Sequence, residues 1–276
     1  MSANKIAYLG PIGTYSHLVA EKRFGVKPQY VPFPTIPEVC AYVSRRSDRL
    51  GIVPIENSSG GAIYDTVDIL MEGKPKIHID EEISLVVKLA LLGRKGCKIK
   101  TLYSHFAPLE HCAPWIKKNL PGVDRQVVAS TAMAARHAFL DDNAAALGCR
   151  RSADLYNLDI LHYPVEADIP NVTSFLVISG KGKTLTRASR TTLCAVTHNV
   201  PGGLCDFLDT FRAHGVNLCR LLSRPIRGCP REYAFLADIE GGRQDTKVKQ
   251  ALRAARKTCV QLKIIGSYPS GLVYKS

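Results

Sequence analysis

The chain has 276 residues, enough for about two domains, and its 46% hydrophobic and 22% charged content excludes wholesale disorder. The formal charge of +13 raises nucleic acid as a partner, but the basic residues are scattered, with no zinc-finger spacing, aromatic RNA-binding signature or basic amphipathic stripe. A solvated basic surface, whose field helps to collect a small polyanion, is the reading that remains.

In chain order, Lys5 to Leu9 reads as a strand, and Gly10-Pro11-Ile12-Gly13-Thr14-Tyr15-Ser16 as a turn in which Thr14 or Ser16 caps the next helix. Strand, Gly-rich turn and helix open an α/β unit. The Gly-x-x-Gly lacks the third glycine of a dinucleotide fingerprint and the lysine of a P-loop, so it is no nucleotide signature. A helix over Val39 to Val43 and a buried strand over Leu50 to Ile55 follow. That strand ends in Glu56-Asn57-Ser58-Ser59-Gly60-Gly61.

Tyr64 to Met71 suits a helix, and Ile77 to Leu92 is β-rich. Thr101 to Ser104 reads as a strand, Glu110 to Asn119 as a helix and Gln126 to Ala129 as a strand. Ser130-Thr131 caps the Ala-rich helix Ala132 to Phe139. Ala144 to Gly148 is a strand, and Ser152 is expected to cap a helix reaching Tyr156. Strands that end in hydroxyl-rich loops before helix N-termini gather those loops at one sheet edge and form a cleft suited to an anion.

Residues 181–190 are polar and basic and read as a linker. Beyond them the order is strand (Thr191 to Thr197), helix (Leu204 to His214), strands (Leu218 to Leu222, Tyr233 to Ile239), helix (Lys247 to Lys257) and a final strand (Leu262 to Gly266). This βαββαβ order is ferredoxin-like. The nine cysteines lack a CxxC pair and read as free thiols of a reducing compartment. Residues 1–4 carry no signal-peptide pattern, and no apolar run reaches the roughly 20 residues of a membrane span. A cytoplasmic protein without membrane or nucleic-acid partners is expected.

Several of these segments, in this order, resemble the prephenate dehydratase family with a C-terminal regulatory domain of the ACT type. The markers are Gly10 to Ser16, Val53 to Gly61, Ser130 to Ala135, Ala145 to Gly148 and Asn171-Val172-Thr173-Ser174-Phe175, followed by Pro201-Gly202-Gly203-Leu204, Asn217-Leu218, Ser223-Arg224-Pro225 and Tyr233-Ala234-Phe235. Each is weak alone, since Ser130-Thr131 reads as a plain N-cap and Asn57 to Gly61 as a surface turn.

The resemblance implies an α/β fold. A two-lobed, periplasmic-binding-protein-like catalytic domain would span 1–180 and an ACT domain 191–276, with a linker at 181–190. It implies conversion of prephenate to phenylpyruvate, water and carbon dioxide without cofactor or metal. Thr173 would donate to the leaving hydroxyl. Asn57, Ser58, Ser59, Ser130, Thr131, Asn171, Ser174 and Phe175 would bind substrate. Glu56 is also placed there, although a carboxylate beside a dianion is costly unless paired, which gives a structural role equal standing. An L-phenylalanine effector would sit near Gly202, Gly203, Leu204, Asn217 and Leu218, in a homodimer or homotetramer. His17, His105 and His111 read as structural.

Three positions depart from the family pattern. Ser174 stands where the family has Arg, a loss that Arg150 or Arg151 could offset. Ser104-His105-Phe106-Ala107 stands for Ser-His-Pro-Gln, and Leu222 for a Glu of the effector region. Two alternatives therefore stay open. One is an arogenate dehydratase or a non-aromatising decarboxylase. The other is a non-catalytic ligand-binding protein, against which Thr173 argues.

Overall fold

The computed structural model describes residues 5–165, 169–182, 188–226 and 228–276. Residues 1–4, and 183–187 of the expected linker, lie outside the described residues. A first lobe is built by β1 (Lys5–Leu9), α1 (Tyr15–Phe24), β2 (Gln29–Phe33), α2 (Ile36–Ser44), β3 (Arg49–Asn57), β4 (Gly61–Ala62), α3 (Tyr64–Glu72) and β5 (His78–Val86). The chain crosses at Val87 and Lys88 into a second lobe. This comprises β6 (Leu89–Gly93), β7 (Thr101–Ser104), α4 (Phe106–His111), α5 (Ala113–Asn119), β8 (Asp124–Val127), α6 (Thr131–Leu140), β9 (Ala144–Cys149), α7 (Ser152–Tyr156) and β10 (Asp159–Val165). The chain then returns to the first lobe as β11 (Val172–Ser179).

A C-terminal unit follows: β12 (Arg190–Thr197), α8 (Gly203–Ala213), β13 (Leu218–Pro225), β14 (Tyr233–Glu240), α9 (Thr246–Ala255) and β15 (Cys259–Tyr268). Its sheet runs β13-β14-β12-β15, all antiparallel, the ferredoxin-like arrangement of a βαββαβ chain. The strand expected to be last is not: β16 (Leu272–Lys275) leaves this sheet and pairs in parallel with β5 of the first lobe.

The first-lobe sheet runs β16-β5-β11-β3-β1-β2, with β4 on β3; the second-lobe sheet runs β10-β6-β9-β7-β8. One face of the first sheet buries Ile6, Ile52, Ile83, Phe175 and Val177, a core continuous with Leu89, Leu102 and Leu147 of the second lobe. The other face buries Val53, Ile55, Leu176 and Ile178 against α2 and α3, and against Cys194, Leu236 and Tyr268 of the C-terminal unit. Gly51 permits this packing, because a Cβ there would stand 2.8 Å from a Val43 methyl.

Local sequence accounts for the helix starts. Thr14 caps α1 by accepting from the His17 amide, and Ser130 caps α6 by accepting from the Met133 amide. Ser152, expected to cap α7, instead donates to the Gly13 carbonyl at 3.3 Å and ties the lobes together. Lys249, Arg253 and Arg256 line one open groove with Arg243, a basic gathering that the scattered sequence pattern does not suggest. Among the described residues no helix is long and apolar enough to cross a membrane.

Candidate active site

The first-lobe sheet delivers the site residues by register. On β11, Thr173 stands directly across from Asn57 of β3 and Leu85 of β5. Residues directly opposite in a ladder share a face, so a pair 116 positions apart in sequence meets at 2.8 Å, Asn57 Nδ2 donating to Thr173 Oγ1. The same Nδ2 donates to Asn171 Oδ1 at 2.8 Å. Asn57 Oδ1 accepts from the amides of Ser59, at 2.9 Å, and Gly60, at 2.8 Å.

These bonds fix the chemistry. Two backbone amides can be answered only by the carbonyl oxygen, so the Nδ2 side of Asn57 must face Thr173 as a donor. Thr173 therefore accepts there, and its own hydrogen points elsewhere. Among the described residues no protein group takes that hydrogen. A half-buried hydroxyl held as an acceptor, with its proton free, is a donor waiting for a ligand.

The neighbours divide into two groups. Ser58 locks the loop to β11: its Oγ donates to the Pro170 carbonyl and accepts from the Val172 amide, both at 2.9 Å. Ser59 Oγ lies 2.9 Å from His111 Nδ1 of the second lobe, a contact absent from the sequence reading of His111 as structural. Burial lowers the His111 pKa, so the neutral imidazole can accept from Ser59. Across the seam, Ser130 heads α6, and the buried Thr131 packs against Gly148, where an added Cβ would stand 3.2 Å from the Thr131 Cβ.

Three expected members lie elsewhere. Phe175 is core, 2% exposed: alternation puts it on the face of Thr173, but two residues along the strand, where Ile52, Ile83 and Val177 fill that face. Glu56 points away from Thr173. Alternation sets it on the face opposite Asn57, and the Glu56 carboxylate meets Arg220 of β13 at 2.9 Å. Ser174, directly across from Glu56, shares that second face. Arg220 is the residue that the sequence reading missed; 164 positions separate it from Glu56, and no local pattern signals such a pairing.

The lobes close on each other through further contacts. Tyr156 OH donates to the Ile12 carbonyl at 3.4 Å, and Arg151 Nη2 to Glu21 Oε1 at 2.9 Å. Arg151 is thus engaged with α1, and Arg150 lies over the Tyr163 ring; neither bonds to the Asn57–Thr173 cluster. His17 is buried and stacks on Tyr8, and burial, then Arg151, lowers its pKa. Among the described residues no three His, Cys, Asp or Glu side chains form a metal-holding group. A cavity of 380 Å³ lined by His78, Lys263 and Gly266 lies between the first lobe and the C-terminal unit, away from Thr173. The site is therefore defined by its hydrogen bonds and not by cavity size.

Of the residues expected to bind an effector, Gly202 takes a φ of 83° at the start of α8 and Gly203 begins the helix. Leu204 and Leu218 pack on the C-terminal core, and the Asn217 carbonyl accepts from the Glu240 amide.

The family model for prephenate dehydratase matches residues 6–183. The bifunctional chorismate mutase/prephenate dehydratase of Aquifex aeolicus is 34% identical over 98% of this chain and 74% of its own length. Among solved structures, the prephenate dehydratase of Arthrobacter aurescens in complex with L-Phe is 29% identical, with a TM-score of 0.86 over 96% of this chain and 89% of that one. The quorum quenching acylase GqqA is 28% identical, with a TM-score of 0.84 over 97% of this chain and 98% of that one. With its two lobes joined by β11 and a family match across both, the chain belongs to the prephenate dehydratase family.

Proposed function

We propose that the protein is a lyase that converts prephenate to phenylpyruvate, water and carbon dioxide in L-phenylalanine biosynthesis. The observation that carries this reading is the Thr173 hydroxyl, held as an acceptor by Asn57 with its hydrogen left for a ligand. Prephenate has two carboxylates and a ring hydroxyl. When the ring carboxylate departs as carbon dioxide, its bonding electrons enter the ring and expel the hydroxyl, which takes up a proton and leaves as water. Aromatisation drives the step, so the protein must hold the dianion in pose and stabilise the departing oxygen. Thr173 donates to that oxygen as a preorganised neutral donor. The substrate carboxylates are assigned to the N-termini of α1 and α6, capped by Thr14 and Ser130, where unpaired amides and the positive dipole end favour anions.

The finer features belong to the same reading. The catalytic part is 1–180, the linker 181–190, and 191–276 an ACT-type regulatory domain whose β16 reaches back to β5. The βαββαβ order and the L-Phe complex of the Arthrobacter relative support L-phenylalanine as effector, near Gly202, Gly203, Leu204, Asn217 and Leu218. Pairing of two C-terminal sheets gives a cytoplasmic homodimer or homotetramer.

The test is purified protein with prephenate and, separately, arogenate, the product being followed by absorbance and identified by mass. Phenylpyruvate from prephenate supports the reading; phenylalanine from arogenate alone reassigns the substrate; no aromatic product overturns it. One observation favours a second reading, hydrolysis of an acyl bond: Ser59 Oγ and His111 Nδ1 form a nucleophile-and-base pair at 2.9 Å, in a chain that resembles an acylase over its full length. Release of a carboxylic acid from an acyl amide, abolished by Ser59→Ala, would establish it.

A further inference from the structure

The C-terminal unit packs Cys194, Leu236 and Tyr268 against Leu176 and Ile178 of β11, and nearer to Thr173 it sets Arg220 against Glu56, the residue opposite Ser174. Arg220 is 7% exposed. Its Nε donates to Glu56 Oε2 at 2.9 Å, its Nη2 to Glu82 Oε1 at 2.9 Å, and its Nη1 to Asp238. Glu56 stands on β3 and Glu82 on β5, the two strands hydrogen-bonded on either side of β11. The guanidinium therefore crosses over β11. In register Glu56 lies opposite Ser174, and Glu82 opposite Leu176, so the crossing begins one residue beyond Thr173.

Two of the three acids anchor this fork. Glu82, 3% exposed, also receives Arg190 and the Ser270 hydroxyl. Asp238, 1% exposed, accepts from Thr192 Oγ1 at 2.6 Å. Burial raises the Asp238 pKa, and the Arg220 charge opposes that rise. Stripping Arg220 from these acids would leave Asp238 with a hydroxyl but no cation and Glu82 with Arg190 and Ser270 only, which breaks a buried ion-pair network and is destabilising. Glu56, 42% exposed, is the open end. It immediately precedes Asn57, whose amide orients Thr173, so its position sets where that amide stands.

We propose that Arg220 is a positioning residue for the reaction: by tying β3 to β5 across β11 it holds the Asn57–Thr173 hydrogen bond, and the small Ser174 leaves the crossing open for it. The effect on rate rests on the functional reading above, whereas the effect on strand order rests on geometry alone.

Two variants test it. Arg220→Lys keeps the charge but loses the fork. Glu56→Leu removes the acceptor at the open end and leaves Glu82 and Asp238 paired with Arg220, so it folds even where the first variant does not. Misplacement by about 1 Å can cost on the order of 100-fold in rate; each variant should lower kcat for prephenate by about 10-fold to 100-fold, with KM within about threefold, and the double variant should be no worse than the worse single one. Amide exchange at residues 57–58 and 172–174 should quicken, while β9 exchange stays as in the wild type. Arg224→Ala removes a different ion pair to the first lobe, to Asp68 at 2.6 Å, and should change neither readout. Wild-type kcat and exchange in Glu56→Leu would overturn the proposal, as would additive losses or an equal loss in Arg224→Ala. A wild type that forms no phenylpyruvate defeats the functional reading only, because exchange still decides the positioning claim.

Discussion

Asn57→Asp keeps the side-chain shape but reverses the hydrogen bond to Thr173 and removes the one given to Asn171 Oδ1, whose amide must turn over to answer the carboxylate. The carboxylate still accepts from the Ser59 and Gly60 amides, so the turn is kept. It cannot donate to Thr173. The Thr173 hydroxyl then swings its hydrogen to the introduced carboxylate, at the 2.8 Å separation that the amide now holds, and the substrate loses its donor. A hydrogen bond to a charged acceptor contributes about 1.5–3 kcal/mol, which must be given up before Thr173 can serve the leaving oxygen. At about 1.4 kcal/mol per decade, that is a fall in kcat of about 10-fold to 150-fold. The added charge beside a dianion should also raise KM. Steady-state kinetics with prephenate measures both, and a melting curve checks the fold. Wild-type kcat in Asn57→Asp would refute the claim that Asn57 sets the direction of the Thr173 proton.

Three further outcomes follow from the same geometry. Ser174→Arg should not raise prephenate turnover, since Arg220 already crosses β11 there; a faster enzyme in the kinetic assay would contradict this. Ser130→Ala should lower stability by about 1 kcal/mol through loss of the α6 cap, read as a denaturation midpoint. Burial lowers the pKa of His17, His105 and His111, so the unfolded chain binds protons first as pH falls. The stability contributed by these neutral imidazoles is full above about pH 6.5 and is lost progressively below it. A melting temperature unchanged between about pH 7.5 and 5.5 would refute that sign.

Much of the fold was legible because its signals are local. The apolar run of β1 before a Gly-rich turn, the Thr14 and Ser130 caps, and the late βαββαβ order all appear as expected segments. β2 escaped notice because Gln29–Phe33 contains Pro32 and is only half-buried at a sheet edge. β16 escaped because four residues with two exposed apolar side chains, Leu272 and Val273, carry no burial pattern of their own. In the site, Asn57, Asn171 and Thr173 converge as the ordered motifs implied, but which atom donates to which follows only from the register. Phe175 reads as a site residue by its closeness to Thr173 in the motif and does share its face, but two residues along the strand that face is already filled by the core. Alternation alone sets Glu56 on the face opposite Asn57, but its partner Arg220 comes from a second unit of the chain and leaves no mark at Glu56 itself.

The central claim is that a single hydroxyl hydrogen, on Thr173, serves the departing oxygen. Its most direct test is phenylpyruvate formation from prephenate by Thr173→Val beside Thr173→Ser. Loss of about 100-fold or more in the valine variant, with the serine variant within about tenfold of wild type, is the expected result. Equal rates in the two variants would contradict it.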